Sequence, residues 1–288
     1  MGWRGRATIM KSIDTLVNDM YHVLEEETEV NEEHMSLFLK GIEGVVREAV
    51  SSPRRENNST LRMSSIGKKD RKLWLEKNRP KKSSSTSGQQ LLMYLYGGIT
   101  EELSLYLVAE AGHTVTDQQK EVIINGIKGH MDCKIDGEVV DVKSASAFGF
   151  RKFSDGTLLR KDKDSFGYIG QLSGYIEAEG DEVGHFLVMN KVSGELCLLT
   201  IDDMDTINAA NRITHLKSML TQDTEPELCY PTVPEGKAGN MKISTDCTYC
   251  AYKFDCFDDL RVFKYSNRWA YLSKVVKEPL VEEVYPNG

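Results

Sequence analysis

The stretch GHMDCKIDGEVVDVKSAS, residues 129–146, carries Asp132, Asp141, Lys143 and His130 at spacings suited to phosphate chemistry. Asp136-Gly137 is a strong two-residue hairpin signal, and taking it as the turn sets the pairing of the two arms. Ile135 then meets Glu138, Lys134 meets Val139, Cys133 meets Val140 and Asp132 meets Asp141, with His130 opposite Lys143. Side chains alternate across a strand, so Met131, Cys133, Val140 and Val142 share an apolar face, and the other face collects His130, Asp132, Asp141 and Lys143. Directly opposed carboxylates, with Cβ atoms roughly 4.5–5.5 Å apart, repel each other. A hard dication between them relieves that repulsion, and Mg²⁺ ordinarily takes one or two protein carboxylates while keeping waters. With Lys143 beside it, such an ion would favour phosphodiester hydrolysis by lowering the pKa of a bound water and stabilising charge on the attacked phosphate. His130 is either a further ligand of that ion or an outer, packed histidine; without the ion, the same side chains are a solvated sheet face with one salt bridge. The hairpin alone leaves both readings open.

The elements that must position this hairpin follow from periodicity. Residues 11–50 place Leu16, Met20, Val23 and Leu24, then Met35, Leu37, Phe38 and Ile42, three and four apart among many acids, which predicts two amphipathic helices. SSPRRENNST, 51–60, reads as a linker and KKSSSTSGQQ, 81–90, as a loop. The segment from Gln89 predicts a helix broken near Gly97 and Gly98, resuming at Thr100 and ending at Gly112. Strands are expected over EVIIN, IKGHMDCKI and EVVDVKSA. A charged loop over 151–165, a helix over 166–179, strands GHFLVMN and ELCLLTI, and helix within 203–222 complete the series. Strands with helices on their faces make an α/β (α+β) core. The expected organisation is an acidic helical appendage over 1–50, a basic segment over 51–90, a core over 91–225 and a cysteine-containing segment, packed on the core, over 226–288.

Composition narrows the class. Apolar residues are 40% and charged residues 28%, and no run of 18 or more apolar residues could span a bilayer. The N-terminus is a poor secretory signal because acids and polar residues interrupt it, so a reducing cytoplasm is expected. The net charge of −8 hides an asymmetry: residues 1–50 carry five Lys/Arg against ten Asp/Glu, a net of −5, and residues 51–90 carry eleven against three, a net of +8. A local basic segment can bind phosphate whatever the total charge. Of six cysteines, Cys247, Cys250 and Cys256 crowd into ten residues, a spacing that in an intracellular chain points to metal more than to disulfides. Three thiolates need a fourth partner for tetrahedral zinc or a cubane cluster. Cys229 is the candidate by number, since Cys133 and Cys197 sit in apolar strands and read as buried small hydrophobes.

The order glutamate, GHMD, VVDVKSAS and QLSGY resembles the PD-(D/E)XK nuclease superfamily, and within it the RecB-like exonucleases, including the AddB nuclease domain, CRISPR-associated RecB-like nucleases and phage exonucleases. That family shows a helix glutamate, a G-x-x-D strand, a D/E-x-K strand and a Q-x-x-x-Y helix, and the likeness covers about residues 60–260. It implies a restriction-endonuclease-like core of a mixed central sheet flanked by helices, Mg²⁺ or Mn²⁺ dependence, and DNA as substrate. Asp132 and Asp141 would be metal ligands and Lys143 would orient or help activate the water. The helix glutamate is Glu101 or Glu102 in GGITEEL, Glu101 by counting from Gly97. Gln171 and Tyr175, four apart on one helix face, would lie beside the site and help hold the lysine and the DNA. CTYCAYKFDC resembles the three C-terminal cysteines that bind a [4Fe–4S] cluster in some members. Their upstream fourth cysteine is absent here, since SSIGKKDRKLWLE holds Lys68 and Lys69 instead, so an iron–sulfur cluster, zinc and no metal all stay open.

Candidate DNA contacts are Lys68, Lys69, Arg71 and Lys72, a segment that in family members guides DNA, and Arg151, Lys152, Arg160 and Lys161 with Phe148, Phe150 and Phe153 near them to stack bases. The leading reading is an exonuclease acting on single-stranded DNA ends in phage or bacterial recombination, repair or degradation. A structure-specific endonuclease on the same core and a non-catalytic DNA-binding or assembly protein are the alternatives. Residues 1–50 are candidates for docking a protein partner, and no Walker-type phosphate loop supplies ATP-driven unwinding.

Overall fold

A computed structural model describes residues 11–27, 29–51, 61–80, 87–160 and 162–284. In chain order the elements are α1 (Leu16–Glu25), α2 (Glu32–Ser51), α3 (Asp70–Asn78), α4 (Gly88–Glu110), β1 (Val115–Thr116), β2 (Glu121–Ile124), β3 (Ile127–His130), β4 (Cys133–Ile135), β5 (Glu138–Ala145), α5 (Ala147–Ser154), α6 (Tyr168–Glu179), β6 (Gly184–Asn190), β7 (Leu196–Ile201), α7 (Ala209–Met219), β8 (Val233–Glu235), β9 (Asn240–Lys242), the short helices α8 (Thr245–Thr248) and α9 (Lys253–Cys256), β10 (Arg261–Lys264) and β11 (Trp269–Lys274). By compactness the described residues fall into two units, one within Met1–Gly67 and Lys81–Leu216, the other within Lys68–Pro80 and Lys217–Gly288. Among the described residues no helix is long and apolar enough to cross a membrane.

The first unit is built on a mixed sheet in the order β1-β4-β5-β6-β7, flanked by helices. β5 and β6 run parallel and the other pairs antiparallel, so β5 lies between two neighbours and carries the site from the middle of the sheet. Asp136 and Gly137 both adopt positive φ, +53° and +92°, the backbone that a two-residue turn between twisted strands demands. One face of the sheet buries Cys133, Val140, Val142 and Leu187 with Leu16 and Met20 of α1 and Leu105 and Val108 of α4. On the other face Phe186 of β6, in register with Asp141, meets Phe153 of α5 edge-on. Helix α1 is also tied to the hairpin: the buried His113 ring lies 2.6 Å from Asp136 Oδ2 and 3.1 Å from Asp19 Oδ2, and the Thr114 N–H donates to Asp136 Oδ1.

Helix α4 is continuous, where the sequence predicts a break at Gly97-Gly98. Both glycines serve close approach instead: a Cβ on Gly98 would stand 2.8 Å from Val45 Cγ1, and one on Gly97 would face Ser144 Oγ of β5. Ser87 and Gln90 cap its start reciprocally, so the predicted 81–90 loop gives way to helix at Gly88, and residues 81–86 lie outside the described set, as do 52–60 of the predicted linker. Helix α2 runs antiparallel along α4, with His34 beside Glu110, Phe38 against Tyr106 at 5.0 Å, Gly41 against Glu102 and Val45 against Gly98. The predicted 151–165 loop begins as the end of α5, because Ser146 caps that helix and Phe150 and Phe153 give it a buried face.

The second unit contains a four-stranded sheet, β10-β11-β9-β8, over a small core of Phe263, Ala270 and Leu272. Periodicity in the sequence does not announce it, because β8 and β9 are three residues each. Helix α3, within the segment expected to be a basic linker, belongs to this unit. Its Leu73, Trp74 and Leu75 are buried, and the Trp74 indole N–H donates to the Gln222 carbonyl at 2.7 Å.

Candidate active site

The hairpin register is the predicted one as far as it runs: Cys133 pairs with Val140, Lys134 with Val139 and Ile135 with Glu138. It stops there. IKGHMDCKI does not form one strand: β3 pairs with β2 in a separate two-stranded sheet, with Glu121 opposite His130, and the chain crosses between sheets at Met131 and Asp132. The backbone groups at the crossing are taken by the 117–120 turn, where the Met131 N–H donates to the Lys120 carbonyl and the Gln119 N–H to the Asp132 carbonyl. His130 is therefore not opposite Lys143. Its side chain is exposed and lies 3.8 Å from Glu121, its partner across β2 and β3.

Asp132, freed from the ladder, turns its carboxylate back onto β5, and Oδ2 accepts the Val142 N–H at 2.8 Å. Asp141, inside β5, is fully buried and ion-paired to Lys143. Neither of its oxygens has a well-formed hydrogen bond among the described residues. The Lys143 ammonium is also 3.9 Å from Asp132 Oδ2, so one cation sits between the two acids. Burial pushes the Asp141 carboxyl up to about 7; Lys143 opposes that rise and Asp132 adds to it. Burial tends to lower the Lys143 pKa, but Asp141 and Asp132 outweigh it and hold the ammonium protonated.

The two helix glutamates separate. Glu102 packs against Gly41 of α2. Glu101 lies within electrostatic reach of Asp132, Lys143 and Asp141, and its carboxyl is raised to about 8 by burial first and Asp132 second. Gln119, which the sequence reading passed over, spans this gap: its amide donates to Glu101 Oε1 at 3.0 Å while its backbone N–H holds Asp132. It does so at φ +53°, a strained backbone for a non-glycine residue. No short-range pattern marks it, since its role depends on α4 and the strand crossing meeting there.

On α6, Gln171 Nε2 donates to the Tyr175 hydroxyl at 3.1 Å. Tyr175 is buried, and a Cβ on Gly129 would stand 2.9 Å from its ring and 2.5 Å from Met63, so the glycine of the GHMD stretch is what lets β3 pass this close. Burial raises the Tyr175 phenol to about 12; Gln171 opposes this, and Asp141 and Asp132 add to it. A second residue not singled out from sequence, Tyr168 at the start of α6, places its ring 5.8 Å from the Lys143 ammonium.

The donor set fits a small hard dication. It offers carboxylate oxygens only, and the buried Asp141 carboxylate has no well-formed hydrogen bond among the described residues. No group of three or more His, Cys, Asp or Glu among the described residues is assembled as a metal site, so the fit rests on Asp132 and Asp141 as a pair, with Glu101 a further carboxylate within electrostatic reach. One or two carboxylates are the protein complement Mg²⁺ ordinarily takes.

In the second unit Cys229, Cys247, Cys250 and Cys256 converge. Burial raises the Cys247 thiol to about 12, with Cys229, Cys250 and Cys256 adding to the rise. Cys133 and Cys197 are also raised by burial, Cys133 with help from nearby acids and none from the other cysteines. The four are not arranged as a ready ligand set. Arg71 is committed there: Nε donates to Cys256 Sγ at 3.3 Å, Nη1 to the Pro226 carbonyl at 2.7 Å, and Nη2 pairs with Glu225. A guanidinium 13% exposed with all three nitrogens engaged by protein partners serves the fold of this unit, against its expected role as a phosphate contact. Lys68, Lys69 and Lys72 are half-buried, Lys69 over the Tyr230 ring. In the first unit Arg151 and Arg160 are exposed, while Lys152 donates to the Lys163 carbonyl and lies over Phe148; Lys161 is outside the described residues. Phe150 and Phe153 are buried in the core and unable to stack on bases, which leaves Phe148 exposed from that trio.

No protein-family model matches the chain, and no curated protein matches it. Among solved structures it is similar to SSO0001 at 17% identity, covering 77% of this chain and 95% of that one with a TM-score of 0.40. It is also similar to an alkaline exonuclease from Laribacter hongkongensis (14% identity, 66% and 91% covered, TM-score 0.36) and to a phage-related exonuclease from Haemophilus somnus 129PT (13% identity, 69% and 93% covered, TM-score 0.33).

Proposed function

We propose that this protein is a metal-dependent deoxyribonuclease of the PD-(D/E)XK, RecB-like type, an exonuclease that hydrolyses phosphodiester bonds from single-stranded DNA ends. The observation that carries the reading is the meeting of Asp132, Asp141 and Lys143, with Asp141 buried, ion-paired to Lys143 and lacking a well-formed hydrogen bond among the described residues. Burying such a carboxylate costs stability, and a fold tolerates that where the group has work to do. Asp132 and Asp141 would hold Mg²⁺ or Mn²⁺, with Glu101 as the third carboxylate. The bound ion supplies an activated water and charge neutralisation on the attacked phosphate. Lys143, kept protonated by its acidic neighbours, presents a positive charge to a non-bridging phosphate oxygen. Gln119 holds Glu101 and the Asp132 backbone in one frame, and the Gln171–Tyr175 pair backs the site from α6.

The test is cleavage of end-labelled single-stranded, duplex and circular DNA in Mg²⁺, Mn²⁺ or EDTA by wild type, Asp141→Ala and Lys143→Ala. Linear single strands should be shortened from an end only with a divalent ion. Each variant should lose about a hundredfold or more, the scale expected when several kcal/mol of charge stabilisation are removed. Activity persisting in EDTA or in both variants overturns the mechanism, and cutting of the circle replaces the exonuclease with an endonuclease.

A further inference from the structure

A stacked aromatic pair stands beside the lysine of this site and takes no part in the carboxylate chemistry. Tyr168 has its ring 5.8 Å from the Lys143 ammonium. Phe166 stacks on Tyr168 with centroids 5.4 Å apart and planes 19° from parallel. Tyr168 is backed by Phe153 and Phe186, each in ring contact with it, so it has a hydrophobic reason to be where it is. Phe166 has none of comparable strength: 65% of it is exposed.

The turn that presents Phe166 is nevertheless firmly built. Asp164 accepts the Gly167 N–H at 2.8 Å through Oδ1 and the Ile169 N–H at 2.9 Å through Oδ2. Gly167 supplies the left-handed backbone, φ +83°, that leads into α6. A carboxylate and a positive-φ glycine thus hold a large apolar ring in water rather than in the core. The surrounding stretch adds the complementary charge for a polyanion, since Arg151, Arg160 and Lys163 are exposed in the segment that leads to Phe166. A rigid aromatic face next to cations is the arrangement that holds single-stranded nucleic acid, with bases on rings and phosphates on positive charge.

We propose that the outer face of Phe166 is a stacking platform for a nucleobase of a single strand whose phosphate lies at Lys143, a subsite that grips the nucleotide next to the one being cut. The assignment rests on the nuclease reading for what sits at Lys143, whereas the stacking itself can be measured without cleavage. Tyr168 stacks against Phe166 and also lies by the ammonium, which makes Tyr168 a positioning residue.

The experiment measures binding, in EDTA, of single-stranded oligonucleotides of mixed sequence in which one abasic site is moved along the strand. Base–aromatic stacking is strong enough that one position should weaken wild-type binding about tenfold. Phe166→Ala should bind the intact strand about tenfold more weakly and show no additional loss at that position, the non-additivity of two changes that remove one contact. Phe166→Trp should restore both affinity and position dependence, and Phe166→Leu, which keeps bulk without a π-face, should behave as the alanine variant. A flat abasic scan in wild type, or a leucine variant that binds as wild type does, overturns the platform even if wild type cleaves DNA. A position-dependent loss erased by Phe166→Ala, in a protein that cuts nothing with Mg²⁺ or Mn²⁺, upholds the platform and removes the nuclease reading instead.

Discussion

In the hairpin, Asp141 is fully buried, with a single ion pair to Lys143 and no well-formed hydrogen bond among the described residues. Around Cys256 the charged group is handled the other way: Arg71 donates to a sulfur and a carbonyl and pairs with Glu225, which also takes Arg79. Both regions carry titratable groups and both attract attention from sequence. The difference is that the Asp141 carboxylate keeps buried polar capacity open while the Arg71 guanidinium has each of its nitrogens engaged. A satisfied charge network is scaffold, holding α3 to the 222–230 segment, while an under-satisfied carboxylate is available to an ion or a substrate.

The largest effect that would sharpen this contrast is on stability. Arg71→Leu should destabilise the second unit by about 2–4 kcal/mol, since it removes charge-assisted hydrogen bonds and leaves a sulfur, a carbonyl and part of Glu225 without their donor. Hydrogen exchange of α3 amides reads this directly. Protection unchanged in the variant would mean that the network contributes nothing and the contrast is false.

A second test reads the burden of Asp141 through pH. An acid whose folded pKa lies above its unfolded value stabilises the fold in its protonated form. That stability is complete below the ordinary value, near 3.8, and is lost as pH climbs through about 7. In EDTA the melting temperature of wild type should therefore fall over that interval more steeply than that of Asp141→Asn, in which this titration is gone. Identical slopes would show that Asp141 carries no unrelieved charge.

The smallest effect concerns the cations. For single strands, log affinity falls with log salt by about 0.7 per phosphate contact. The exposed pair, changed together as Arg151→Ala and Arg160→Ala, should flatten that slope by about 1.4, two such contacts. Replacing the half-buried Lys68, Lys69 and Lys72 by alanine should alter it less. The opposite ranking would return DNA guidance to the 68–72 segment.

The chain's local chemistry made several features legible. Asp136-Gly137 can adopt the paired positive-φ turn, so it set the register of Cys133, Lys134 and Ile135 against β5, and with it the apolar set Cys133, Val140 and Val142. The spacing of Gln171 and Tyr175 placed them one turn apart, in hydrogen-bond contact. Features that depend on distant segments did not emerge. Whether His130 extends the hairpin was decided by the 117–120 turn, which takes the backbone groups at the crossing. Whether Gly97-Gly98 breaks α4 was decided by α2 and β5, which need the missing side chains for contact. Arg71 looked like a phosphate contact until Glu225, Pro226 and Cys256 came round to it, and Phe153 like a base stacker until Phe186 met it in the core. Local sequence determines turn geometry and strand alternation because those rest on sterics within a few residues. The use of a charge or a ring is a tertiary matter, because it depends on which partners fold down beside it and on how much water they exclude.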